Sequence, residues 1–93
     1  MSLTTAESFD VATYWRLSPE VSLRDEAFGA LAYHHGNRRL VFLKSRELVE
    51  LVRRLGDFRD VQEALNALID GEQHERYVVA LSSLAKSELL RGR

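Results

Sequence analysis

Residues 28–44, FGALAYHHGNRRLVFLK, constrain the fold more than any other stretch of the chain. Apolar side chains recur at every second position in two short runs, Leu31/Tyr33 and Leu40/Phe42, with Gly36-Asn37 between them. Period-two patterning on both sides of a Gly-Asn pair predicts a β-hairpin, because Gly accepts the positive φ that opens a type II′ turn. The register pairs Tyr33 with Leu40 and Leu31 with Phe42 on one face. The other face carries Ala32 opposite Val41, Ala30 opposite Leu43 and His34 opposite Arg39. One face is bulky and apolar and the other mixed, as in an antiparallel sheet with helices on one side.

Ahead of the hairpin, Leu17-Ser18-Pro19 leads into a predicted strand over residues 20–24, with Val21 and Leu23 facing the same way. Asp25-Glu26 makes the turn. Three helical patterns follow the hairpin. The first is capped by Ser45, has Glu47 in its first turn, sets Leu48, Leu51, Val52 and Leu55 on one face, and stops at Gly56. In the second, Asp60 and Glu63 have capping-box spacing ahead of the stripe Val61, Ala64, Leu65, Leu68 and Ile69. The third covers residues 73–90. Its consecutive Tyr77, Val78, Val79, Ala80 and Leu81 carry apolar surface right round the helix, more than one core-facing stripe needs.

The fold class is therefore α+β: a winged-helix-like domain, with a three-stranded antiparallel sheet followed by three helices. Residues 17–90 form this domain and residues 91–93 a tail. Residues 1–16 form a partly flexible N-terminal segment, whose Phe9, Tyr14 and Trp15 are expected to pack back over the domain or over a second copy of it.

The function classes narrow quickly. A net charge of −1, with basic residues spread along all 93 positions, argues against a nucleic-acid binder. Arg53-Arg54 with Arg59 would suit phosphate contacts, but Glu47, Glu50, Asp57 and Asp60 dilute the potential there. Without cysteine the chain can supply no disulfide, thiolate nucleophile or iron–sulfur cluster. His34 and His35 point to opposite faces of a strand and no His pair has helical spacing, so no metal site is expected. No Ser/His/Asp constellation or Gly-rich phosphate loop is present, and neither catalytic residues nor a cofactor are expected. No apolar run is long enough for a membrane span and no signal segment is evident, which makes a cytoplasmic protein the expectation.

What stands out instead is an edge. With the strands in sequential order, Leu40 to Leu43 form an outer strand that neither charge nor proline guards, and such edges invite another strand. Strand addition by a peptide is one use of them.

FGAL, Tyr33-His34, Gly36, Arg38-Arg39-Leu40 and Phe42-Leu43-Lys44 also resemble the family of mycofactocin-system peptide chaperones. These are PqqD-like members of the RiPP recognition elements, which bind precursor peptides. The likeness runs from Leu17-Ser18-Pro19 through Val21-Ser22-Leu23-Arg24 to residues 47–55. It implies that a precursor peptide leader adds as a strand beside the third strand and packs against the third helix. Leu40, Val41, Phe42 and Leu43 would wall one side of that groove, and Tyr77, Val78, Leu81 and Ala85 the other, with Arg39 and Lys44 suited to acidic leader residues. If Leu81 lines the groove, Leu81→Asp should abolish peptide affinity and leave unfolding little changed. The resemblance further implies a radical-SAM maturase as partner, which holds the cluster and does the chemistry. Two other readings stay open: a winged-helix nucleic-acid-binding regulator, and a plain dimerisation module in which the same edge joins a homodimer.

Overall fold

The computed structural model describes residues 9–92. The chain runs β1 (Trp15–Leu17), β2 (Val21–Glu26), β3 (Gly29–His34), β4 (Leu40–Leu43), α1 (Arg46–Arg54), α2 (Val61–Leu68), α3 (His74–Lys86) and β5 (Leu90–Gly92). Short 3-10 turns, Leu55–Asp57 and Gly71–Gln73, link the helices. Strands β2, β3 and β4 form an antiparallel sheet in that order, while β1 and β5 make a separate two-stranded ribbon.

The hairpin has the register expected from its pattern, from Ala30 opposite Leu43 to Tyr33 opposite Leu40. Its turn is built differently. Positive φ falls on Arg38, at 65°, not on Gly36. His34 Nδ1 accepts the backbone N–H groups of Gly36 and Asn37 at 3.0 and 3.1 Å, and the His34 carbonyl accepts from Arg38 at 2.8 Å. A buried imidazole thus closes a four-residue loop where a two-residue glycine turn was expected. The preceding strand is also longer than expected. It continues through Asp25 and Glu26, and the chain reverses at Ala27-Phe28. Gly29 makes this possible: at φ 151° a side chain is strained, and a Cβ would collide with the Leu43 carbonyl oxygen.

The helices cover one side of the sheet, and it is the side with the smaller residues. Ala30, Ala32, His34 and Leu43 are buried, whereas Leu40 and Phe42 are exposed. Two alanines let the helices approach the sheet closely, so the bulk of the core comes from Leu51, Val52, Leu55, Leu65, Leu81 and Leu89.

Caps fix the helix starts. Ser45 Oγ accepts the Leu48 N–H at 3.0 Å, and Asp60 Oδ1 accepts that of Glu63 at 2.8 Å. The Glu63 carboxylate returns to the N–H of Arg59, one residue earlier than a strict capping box would place it.

The third helix ends earlier than its apolar pattern suggests. Glu88 adopts φ 67°, the Leu89 N–H bonds the Leu84 carbonyl and the Glu88 N–H that of Ala85, which together make a Schellman termination. Leu89 and Leu90 thereby leave the helix, and β5 pairs with β1, Leu90 opposite Leu17 and Gly92 opposite Trp15. Arg91 and Gly92, expected as tail, are strand, and the expected boundary at residues 16 and 17 falls inside β1. The described part of the N-terminal segment packs on its own domain. Phe9 is buried against Trp15, and the carbonyls of Val11 and Thr13 accept the N–H groups of Gln62 and Val61 at the start of α2. Residues 1–8 lie outside the described residues. Among the described residues, no helix is long and apolar enough to cross a membrane.

Candidate functional site

Hydrogen bonds in an antiparallel pair alternate between bonded and non-bonded residue pairs. The His34 N–H bonds the Arg39 carbonyl at 2.9 Å, so Val41 and Leu43, two and four residues on, also aim their backbone groups at β3. Leu40 and Phe42 are the complementary set. Their N–H and C=O groups point away from the sheet, and no backbone partner meets them among the described residues. The same two residues are 56% and 54% exposed. Among the described residues, strand β4 is an open edge.

Helix α3 stands beside it and is tied at both ends. Ser45, just past β4, places Oγ 3.4 Å from the Tyr77 hydroxyl in the first turns of α3. Asn37, just before β4, donates its side-chain N–H to the Ser87 carbonyl at the other end, 3.3 Å away. The helix therefore runs antiparallel to the strand and forms a second wall along its length. Neither tie carried a sequence signal, since each joins residues more than thirty positions apart.

The ten residues expected to form the groove divide into three groups. Arg39, Leu40, Phe42 and Lys44 are exposed along the strand and its ends. Val41, Val78 and Ala85 are half-buried and packed against the core. Leu43, Tyr77 and Leu81 are buried, with Leu43 and Leu81 at 0% exposure. Leu81 is a core residue here. It belongs to the buried core cluster, so Leu81→Asp is expected to unfold the domain and does not serve as a groove test. The exposed apolar residue on this helix is Val79, at 65%. One group was not foreseen: Phe28, in the turn between β2 and β3, lies with its ring centroid 5.7 Å from that of Phe42 on the helix-free face.

The histidines and the basic pair of α1 have local duties. His34 closes the hairpin loop, His35 Nε2 lies 2.7 Å from Ser22 Oγ, and His74 Nε2 lies 2.8 Å from the Ile69 carbonyl. Arg53 pairs with Asp25 and Arg54 with Glu50, and Arg54 also stacks over Phe58. The basic pair on α1 is thus balanced by acids rather than gathered into a positive face.

The model of the peptide chaperone MftB family matches residues 14–91. The peptide chaperone MftB of Mycobacterium ulcerans (strain Agy99) is 46% identical over 86 residues, 91% of this chain and 79% of that protein. That of Mycolicibacterium smegmatis (strain ATCC 700084 / mc(2)155) is 44% identical over 93 residues, 97% of this chain and 91% of the other. The Mycobacterium tuberculosis protein (strain ATCC 25618 / H37Rv) is 43% identical, with coverage of 91% and 79%. Among solved structures, a lasso peptide synthetase B1 complexed with the leader peptide shares the fold, at TM-score 0.54 and 22% identity, over 82% of this chain and 94% of that one.

Proposed function

The chain belongs to the peptide chaperone MftB family, and from that premise we propose that it is a non-catalytic adaptor that holds a precursor peptide by strand addition at β4. The observation that carries the reading is the open edge at Leu40 and Phe42, with α3 tied alongside it. An added strand bonds the outward groups of these residues, and its side chains enter the space beside Val41, Val78 and Ala85 on one face. Arg39 and Lys44, which make no ion pair among the described residues, attract acidic residues at the ends of the bound segment.

The magnitudes suit a carrier that must also release. Two or three apolar anchors contribute ~1.5–3 kcal/mol each when fully buried. Ladder hydrogen bonds add ~0.5–1.5 kcal/mol each, and association and ordering subtract ~4–15 kcal/mol. A micromolar complex corresponds to about −8 kcal/mol.

In this reading the held segment is the leader of a ribosomally made precursor. The chain presents the rest of that peptide to a radical-SAM maturase in the cytoplasm, and the chemistry resides on the maturase. A second copy of the chain would compete for the same edge, so peptide affinity should fall if the protein dimerises through β4. Titration with the cognate precursor peptide, followed by backbone amide shifts, tests the proposal. Saturable shifts centred on β4 and on Val78, Val79 and Ala85 are expected. A folded monomer that shows no shifts would refute it.

A further inference from the structure

We propose that the leader is read chiefly on the helix-free face of the sheet, where Leu40, Phe42 and Phe28 present a row for large apolar side chains spaced two residues apart. The inference rests on strand addition at β4 and specifies what the added strand must carry.

Only Leu40 and Phe42 within β4 direct backbone groups outward, so these two fix the register of an incoming strand, parallel or antiparallel. Residues directly opposite each other in paired strands place their side chains on the same face, with Cβ atoms about 5 Å apart. The leader residues opposite Leu40 and Phe42 therefore lie on the helix-free face. The residue between them, opposite Val41, turns toward α3.

The two faces offer unequal apolar surface. On the helix side Leu43 and Leu81 are already at 0% exposure and Val41, Val78 and Ala85 are half-buried, so beyond Val79 that side offers only partly covered apolar side chains. On the other side two rows cross the whole sheet, Ser22–Tyr33–Leu40 and Arg24–Leu31–Phe42. Each row ends at the open edge in a side chain more than half exposed, and Phe28 stacks on Phe42. A fourth strand would extend both rows by one residue and bury them. Because hydrophobic gain follows the area removed from water, the larger share comes from this face. Arg39 precedes the strand and Lys44 follows it, each without an ion pair among the described residues. The segment recognised is thus a strand with large apolar or aromatic residues at positions n and n+2, a smaller residue at n+1, and acidic flanks.

The double variant Leu40→Thr/Phe42→Thr tests this, since threonine preserves strand propensity while removing the apolar ends of both rows. The probe is the synthetic leader of the cognate precursor, with affinity from calorimetry and contacts from intermolecular NOEs. Wild-type protein should show NOEs from leader side chains to the Phe28 and Phe42 rings, and the variant should bind about tenfold more weakly with unchanged folding. Asp at leader positions n and n+2 should weaken binding more than Asp at n+1. Wild-type binding with NOEs confined to Val41, Val78 and Ala85, and unchanged affinity in the variant, would overturn the inference and leave the adaptor reading standing. No binding by wild-type protein would remove both.

Discussion

The two edges of the sheet are built to opposite rules. Strand β2 is six residues long and ends in Arg24, Asp25 and Glu26, with Arg24 paired to Glu26 and Asp25 held by Arg53, each at 2.8 Å. Pro19 precedes it, and the Val21 N–H is already taken by the Ser18 carbonyl. Because Ser22 and Arg24 bond to β3, the outward N–H groups that remain on β2 are those of Leu23 and Asp25, amid charge. Strand β4 is shorter, reads Leu-Val-Phe-Leu, and carries no charge between its ends. Exposed ion pairs such as those on β2 add little stability, at most ~1 kcal/mol each. Their consequence is for what docks: charge deters a further strand, and β4 lacks that deterrent. Charge guards one edge, and among the described residues the other is left available.

That contrast can be broken from several directions. The most severe is Leu81→Asp, which places a charge in the core behind β4. Burial of an unpaired charge exceeds what a domain of this size tolerates, and loss of the native circular dichroism transition is expected. Next come two prolines one residue apart. Val41→Pro removes a donor aimed at β3 and leaves a buried carbonyl unpaired, which costs about 1–3 kcal/mol and lowers Tm by roughly 10 °C. Phe42→Pro removes only an outward donor, so the domain should melt near the wild-type temperature while peptide affinity in calorimetry falls roughly a hundredfold. Equal melting temperatures for the two would show the ladder to be out of phase with this structure.

The opposite experiment unguards β2. Arg24→Thr/Asp25→Thr should leave stability within about 1 kcal/mol, yet promote self-association detectable by sedimentation at high concentration. The smallest effect belongs to Arg39→Ala and Lys44→Ala. Each should weaken peptide binding about threefold at low salt, and the loss should shrink as ionic strength rises.

The hairpin was legible because its information is local. Alternation over a few residues sets the register, and Ser45 and Asp60 announce helix starts through side chains that bond backbone three residues away. What escaped was information carried by geometry or by distant residues. The turn at Ala27-Phe28 depends on Gly29 in a backbone region that charged residues upstream did not suggest. The end of α3 uses Glu88 in the left-handed region usually given to glycine, so the pairing of β5 with β1 had no local marker. Volume misled as well: the bulky face of the hairpin looks like a core face, but close helix packing selected the face with Ala30 and Ala32. The edge strand of the candidate site was therefore read correctly, while the depth of Leu43, Tyr77 and Leu81 required the packed helix to be seen.

Amide hydrogen exchange at four outward N–H groups, with and without saturating precursor peptide, tests the central claim most directly. Leu40 and Phe42 on β4 are compared with Leu23 and Asp25 on β2. Strong slowing is expected at Leu40 and Phe42 on peptide addition, with Leu23 and Asp25 unchanged. Slowing at Leu23 and Asp25, or binding that leaves all four rates as they were, would contradict it.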